Sequence, residues 1–148
     1  MNQAVNFFWT ILCFIPVIGF WLTADLFTCY VFIGVSAASL LLPAKLLQLS
    51  NQHKFYEKLG IKLIRKFVQN GEYINAFLKK RNPQYKIIRG KLGATGYMKT
   101  VIMYERYHFL CFIFFLLTDI LAVISGRYSW AVFIFLANIV YNVCPILL

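Results

Sequence analysis

The chain has 148 residues, of which 61% are hydrophobic, 18% aromatic and only 14% charged. Its mean hydropathy is +0.69, whereas a soluble domain is nearer half apolar and a quarter charged. A chain this short has too little interior to hide so much apolar surface, which excludes a soluble enzyme, a disordered chain and a disulfide-held scaffold. The composition predicts an all-α, polytopic membrane protein.

The net charge of +10 points toward nucleic acid until it is located. Thirteen of the 15 basic residues lie between Lys45 and Lys99, opposed only by Glu57 and Glu72, a net +11. The rest of the chain is near neutral. Two apolar blocks, 1–44 and 101–148, therefore flank one basic block, 45–100. Positive-inside logic places the basic block on the cytoplasmic side of the cell membrane. It carries no nucleic-acid motif and topology accounts for its charge, so no nucleic-acid partner is expected.

In chain order, Val5 to Ala24 is the first apolar run, of the length that a bilayer core requires. It lacks the basic leader and small-residue cleavage site of a signal peptide, so it reads as a retained span. Pro16 is expected to kink it. Leu26 to Leu42 is a second, slightly short run, joined to the first through a tight turn at Asp25 and ended by Pro43. His108 to Ile124 and Trp130 to Leu147 form the third and fourth, around the turn Ser125-Gly126-Arg127-Tyr128-Ser129. Four transmembrane helices then form two hairpins, with both termini cytoplasmic. Trp21, Tyr128 and Trp130 are expected at the outer interface, where amphipathic rings are favoured. Cys13, Cys29, Cys111 and Cys144 all fall in spans and read as buried thiols.

Within the basic block, residues 53–69 have an aromatic and aliphatic stripe (Tyr56, Leu59, Leu63, Phe67) beside a basic one (Lys54, Lys58, Lys62, Arg65). Such a helix lies in the headgroup plane and attracts anionic membrane lipid. Glu72 to Lys80 suits a short helix, and Asn82-Pro83 a turn. Gly90, Gly93 and Gly96 read as a flexible connection rather than a phosphate loop. Thr95 then serves as N-cap for a long helix entering the third span.

Polar residues inside the membrane are costly and face a bundle interior or a cavity. At 100° per residue, Glu105, His108 and Asp119 fall within about 60° of one another on the third helix. Glu105 and Asp119 are separated by roughly 21 Å of rise. Asn138 and Asn142 are four apart on the fourth helix, Thr28, Ser36 and Ser39 nearly align on the second, and Asn6 and Thr10 are four apart on the first. Topology puts Asn142, Ser39, Glu105 and His108 near the cytoplasmic boundary, and Asp25, Thr28 and Asp119 toward the outer side. A carboxylate three residues before an imidazole can fix its tautomer and raise its basicity, as a general base for an alcohol requires. The same pair is equally readable as an interfacial hydrogen bond. Glu-x-x-His is half of a di-iron motif, but five acids and two histidines are too few to complete one. No metal and no cofactor are expected. An ion path through Asp119 would be a thin one.

Glu105-x-x-His108 entering an apolar helix, a short turn with Gly126, and Asn142-Val143-Cys144-Pro145 followed by aliphatics together resemble the C-terminal half of the glycosyl-4,4'-diaponeurosporenoate acyltransferase family. Upstream, Phe55-Tyr56-Glu57-Lys58-Leu59-Gly60 is similar to that family's Phe-Glu-x-x-Gly segment, with one residue more between Phe and Glu. The resemblance covers about residues 55–148. The family pattern continues with a Gln and a basic Tyr-Asn-Arg tail, which the sequence ending at Leu148 does not include. Members are small membrane proteins, and the named activity esterifies a sugar hydroxyl of a carotenoid glycoside with a fatty acyl group. The resemblance carries over onto Glu105, His108, Asn142 and Pro145.

Two readings of different class follow. In the first, a membrane acyltransferase esterifies a hydroxyl of a lipid or glycolipid. His108 is the base, Glu105 its orienter, and Asn142 a donor to the developing oxyanion. The basic block attracts an acyl donor on a phosphate-bearing carrier. Asp119, Asn138 and Ser39 are further intramembrane polar candidates. In the second, the chain is a non-catalytic small subunit of a larger membrane complex, with Gly34, Ala37 and Ala38 allowing close helix approach.

Overall fold

The computed structural model describes residues 2–43, 66, 72–84 and 90–147. Helix α1 spans Asn2–Trp21, α2 Leu26–Ala38, α3 Glu72–Arg81, α4 Gly90–Ile124 and α5 Tyr128–Asn138. A 3-10 turn, Ser39–Leu41, extends α2. A π turn, Ile139–Val143, and a last α turn, Cys144–Ile146, continue the rod of α5. Among the described residues there is no strand. The basic amphipathic helix read over residues 53–69 lies outside the described residues, apart from Lys66.

Three stretches are long and apolar enough to cross a bilayer: Ala4–Trp21, Thr95–Ile124 and Tyr128–Ile146. Leu26–Leu41 is apolar but shorter. The chain is an all-α polytopic membrane protein. Its surface agrees with that. Phe7, Phe8, Ile11, Ile15, Ile18, Phe27, Phe133 and Phe135 are all exposed. In water such a contiguous apolar face would drive aggregation, whereas against acyl chains it is the matching surface.

The helix ends follow from local chemistry. Asp25 caps α2, its Oδ2 accepting the Thr28 N–H at 2.8 Å and the Thr28 hydroxyl at 2.8 Å. These two bonds hold the Asp25 carboxyl below the usual aspartate range. Leu42 is extended (φ −68°, ψ 138°) because the ring of Pro43 disfavours a helical residue before it. At the other hairpin Gly126 takes φ +70°. The Gly126 N–H donates to the Val123 carbonyl at 3.0 Å and the Arg127 N–H to the Ala122 carbonyl at 2.8 Å. This is a Schellman ending, which needs a left-handed residue and so favours glycine. Asn82 turns the chain after α3 by accepting the Gln84 N–H on Oδ1 at 3.1 Å.

Two expectations are corrected. Gly90, Gly93 and Gly96 do not form a loop: α4 starts at Gly90 and runs 35 residues, so Thr95 lies inside it and does not cap it. Once hydrogen-bonding continues from the membrane span, the cost of interior glycines, up to about 1 kcal/mol each, is not enough to stop it. Trp21 is not an interfacial anchor but a core residue, 7% exposed. Its ring packs against Phe20, Phe32 and Phe114, and Nε1 donates to the buried Thr118 Oγ1 at 3.2 Å. Ala37 and Ala38 are exposed, and nothing lies within 4 Å of where a Cβ on Gly34 would be.

The turn between α1 and α2 is short, yet the two helices pack mainly on other partners. The first lies against α5 and the second against α4, so the first hairpin straddles the second. Cys13, Val17, Phe20 and Trp21 of α1 meet Phe115 and Ala122 of α4 and Ala131, Ile134, Ala137 and Tyr141 of the last rod. Spacings of three and four put each set on one helical face. Small residues let the rods close up: a Cβ on Gly19 would sit 2.6 Å from Cη2 of Trp130. Arg127 ties the two hairpin tips together. Its guanidinium donates to the Thr23 hydroxyl at 2.8 Å and the Thr23 carbonyl at 3.1 Å, and lies over the Phe20 ring at 5.4 Å.

Candidate functional site

The end of the bundle away from the hairpin tips gathers its polar side chains. His108 lies on α4 about 24 Å of helical rise from Ile124, within the apolar stretch Thr95–Ile124. Its ring meets the Tyr141 ring edge-on, centroids 5.2 Å apart. The Asn142 side chain and the Tyr141 main chain are the polar groups facing the imidazole.

The backbone beside these side chains is irregular. Residues 139–143 are π-helical, with the Cys144 N–H reaching back to the Ile139 carbonyl. Asn138, Tyr141 and Asn142, spaced three and four apart across this turn, are all buried. Pro145 has no N–H to give the carbonyl of Tyr141, four residues earlier. The Asn142-x-x-Pro145 spacing thus has a physical content: it loosens the backbone beside the side chains that the site uses.

Hydrogen bonding fixes the two asparagine amides in sequence. The Phe112 carbonyl can only accept, and Asn138 Nδ2 donates to it at 3.3 Å. Asn138 Oδ1 is thereby turned to Asn142, whose Nδ2 donates to it at 2.9 Å. Asn142 Oδ1 is the atom left over, buried and without a partner. His108 Nδ1 is likewise buried without a partner. Buried polar atoms are almost always paired, and exceptions concentrate where function needs them.

A second chain of hydroxyls lies beside these. Thr10 Oγ1 donates to the Asn6 carbonyl at 2.8 Å and is 2.9 Å from Tyr141 Oη. Tyr141 Oη is 3.3 Å from Tyr107 Oη. Tyr141 also packs on Phe14 and Phe115, at 5.5 Å and 6.3 Å between centroids.

Of the residues singled out in the sequence, His108, Asn138 and Asn142 come together. Glu105 is half-buried, and its carboxylate is not bonded to His108 Nδ1, which has no partner. Asp119 lies about 16 Å of rise further along α4, with one carboxylate oxygen buried and unpartnered. Ser39 donates to the Ser36 carbonyl at 2.6 Å within its own helix and does not join the cluster. Tyr107, Tyr141 and Thr10 complete the cluster. In a chain with 9 tyrosines nothing marks these two. Asn6 and Thr10 did carry a signal, their spacing of four.

The fold and the cluster define a helical, polytopic membrane protein with polar side chains buried at one end of its helical bundle. The chain belongs to the glycosyl-4,4'-diaponeurosporenoate acyltransferase family, whose model matches residues 44–148. No curated protein and no solved structure matches it.

Proposed function

We propose that the protein is a membrane acyltransferase that esterifies a hydroxyl of a lipid or glycolipid, with His108 as general base. The observation that carries the reading is the pair of buried, unpartnered atoms, His108 Nδ1 and Asn142 Oδ1. One is a donor when protonated, the other only an acceptor. In this reading substrate binding closes the two into a hydrogen bond, which commits the proton to Nδ1 and leaves Nε2 as the basic nitrogen. Catalytic hydrogen bonds are commonly long before substrate binds.

In this reading Asn142 orients the imidazole, and Asn138 holds the Asn142 amide the right way round. Glu105, at the entrance, contributes negative potential to the imidazolium that forms. Nε2 takes the proton of the alcohol as its oxygen attacks the acyl carbon. The tetrahedral intermediate collapses with cleavage of the bond to the leaving group, and the imidazolium returns the proton to that group. Ester and protonated leaving group are the products. A lipid-like acceptor suits a site at the membrane boundary, reached from the acyl-chain region.

The test uses purified full-length protein in lipid nanodiscs, radiolabelled palmitoyl-CoA as donor and a total membrane-lipid extract as acceptor. Label in new lipid esters is followed by chromatography. His108→Ala and His108→Gln are expected to lose about 100-fold or more, the usual worth of a positioned base. Undiminished transfer by both variants rules out the mechanism.

A further inference from the structure

A chain of hydroxyls crosses the site. Thr10 Oγ1 donates to the Asn6 carbonyl at 2.8 Å. With that proton used, Thr10 accepts from Tyr141 Oη, 2.9 Å away. Tyr141 Oη also lies 3.3 Å from Tyr107 Oη. The chain of hydroxyls ends on the Asn6 main chain, part of helix α1.

Tyr141 is the member that touches the imidazole, with its ring edge-on at 5.2 Å and its main chain among the polar groups facing His108. Packing on Phe14 and Phe115 restrains the ring but is tolerant of rotation about its axis and of small tilts. The hydroxyl contacts to Thr10 at 2.9 Å and to Tyr107 at 3.3 Å set where the ring's far end lies, and the shorter one is to Thr10. We infer that Thr10, through Tyr141, is a positioning residue for His108, so that the first helix is part of the site. The inference rests on the reading of His108 as the base. It also extends the site beyond residues 44–148, the stretch that matches the family, since Asn6 and Thr10 precede it.

The experiment reads the imidazole directly. The chain has two histidines, and in a His53→Ala background the ring nitrogens of isotope-labelled histidine report on His108 alone. Spectra are taken on full-length protein in nanodiscs. The His53→Ala protein is expected to show one dominant tautomer. Thr10→Val and Tyr141→Phe are each expected to shift the ring nitrogens toward a mixture of tautomers and to reduce acyl transfer roughly three- to tenfold, the scale of one net hydrogen bond. Both break the Thr10–Tyr141 bond, and Tyr141→Phe also loses the contact with Tyr107, so the double variant loses no more than Tyr141→Phe alone. Thr10→Ser keeps the hydroxyl and is expected to restore both readouts, which separates positioning from a loss of packing.

Unchanged His108 resonances in Thr10→Val and Tyr141→Phe overturn the inference, whatever the transfer rate. Shifted resonances with full transfer by His108→Ala overturn the catalytic reading instead and leave the coupling of Thr10 to His108 intact.

Discussion

Asn138→Leu removes the acceptor for Asn142 Nδ2 and the donor to the Phe112 carbonyl while nearly preserving volume. Asn138 is 4% exposed and Asn142 0%, so no water replaces what is lost. Leaving one buried donor unsatisfied costs about 1–3 kcal/mol. Side-chain hydrogen bonds in membrane proteins average nearer 0.6 kcal/mol, because the unfolded state also finds partners. Asn138→Leu should therefore destabilise by about 1–2 kcal/mol. Asn142→Leu should cost a similar amount, because it strands Asn138 Oδ1, the acceptor in the 2.9 Å bond. The double variant strands neither group and should cost no more than one single, a coupling of about 1–2 kcal/mol. The assay is equilibrium unfolding of the purified chain in mild detergent titrated with sodium dodecyl sulfate, followed by helical circular dichroism. Additivity within about 0.5 kcal/mol refutes the argument, since independent sites add that closely. Transfer activity should behave differently: it falls in both singles and stays low in the double, because Asn142 Oδ1 is then missing altogether.

Two other expectations concern the frame around the site. Gly19→Ala places a methyl 2.6 Å from Cη2 and 2.8 Å from Cζ3 of Trp130. Overpacking of this kind costs about 1–3 kcal/mol, against a gain of about 0.5–1 kcal/mol from replacing a helical glycine. Gly19→Ala should be neutral to destabilising in the native background and stabilising once Trp130→Leu clears the space, as the same unfolding titration can show; stabilisation in both backgrounds would refute the contact. At Asp25, the Thr28 N–H and hydroxyl favour the charged carboxyl and lower its pKa below the ordinary value of 3.8. A depressed pKa contributes stability that is present above the unfolded value and lost as pH falls through the folded one. Thermal unfolding should thus lose this contribution on acidification below about pH 4, and Asp25→Asn, which still caps but does not titrate, should lack this component. An identical acid limb in both proteins would count against the cap.

The helices were legible because each rests on a property of consecutive residues. Apolar run length gave the spans, Pro43 the end of the second and Gly126 the turn of the last hairpin. The site was partly legible for the same kind of reason. His108, Asn138 and Asn142 stood out because an ionisable or amide group in an apolar run is costly and needs a partner. Tyr107 and Tyr141 did not, since a tyrosine in an aromatic-rich span has no such cost until its hydroxyl is buried. The π turn was also hidden: Pro145 announces an interrupted ladder, but whether the backbone kinks, breaks or widens depends on what packs against it.

What the sequence by itself determined is therefore the class of molecule, its helices and the types of group able to do chemistry in it. Only the tertiary structure decided which of those groups meet. Asp119 and Ser39 share the polarity of Asn142 yet lie apart from it, one by distance along α4 and the other by bonding within its own helix. Trp21, amphipathic enough for the interface, went to the core because Thr118 offered its N–H a partner there. The physical reason is common to these cases. A buried polar atom is placed by the partner that satisfies it, and that partner is a neighbour in space, not in sequence.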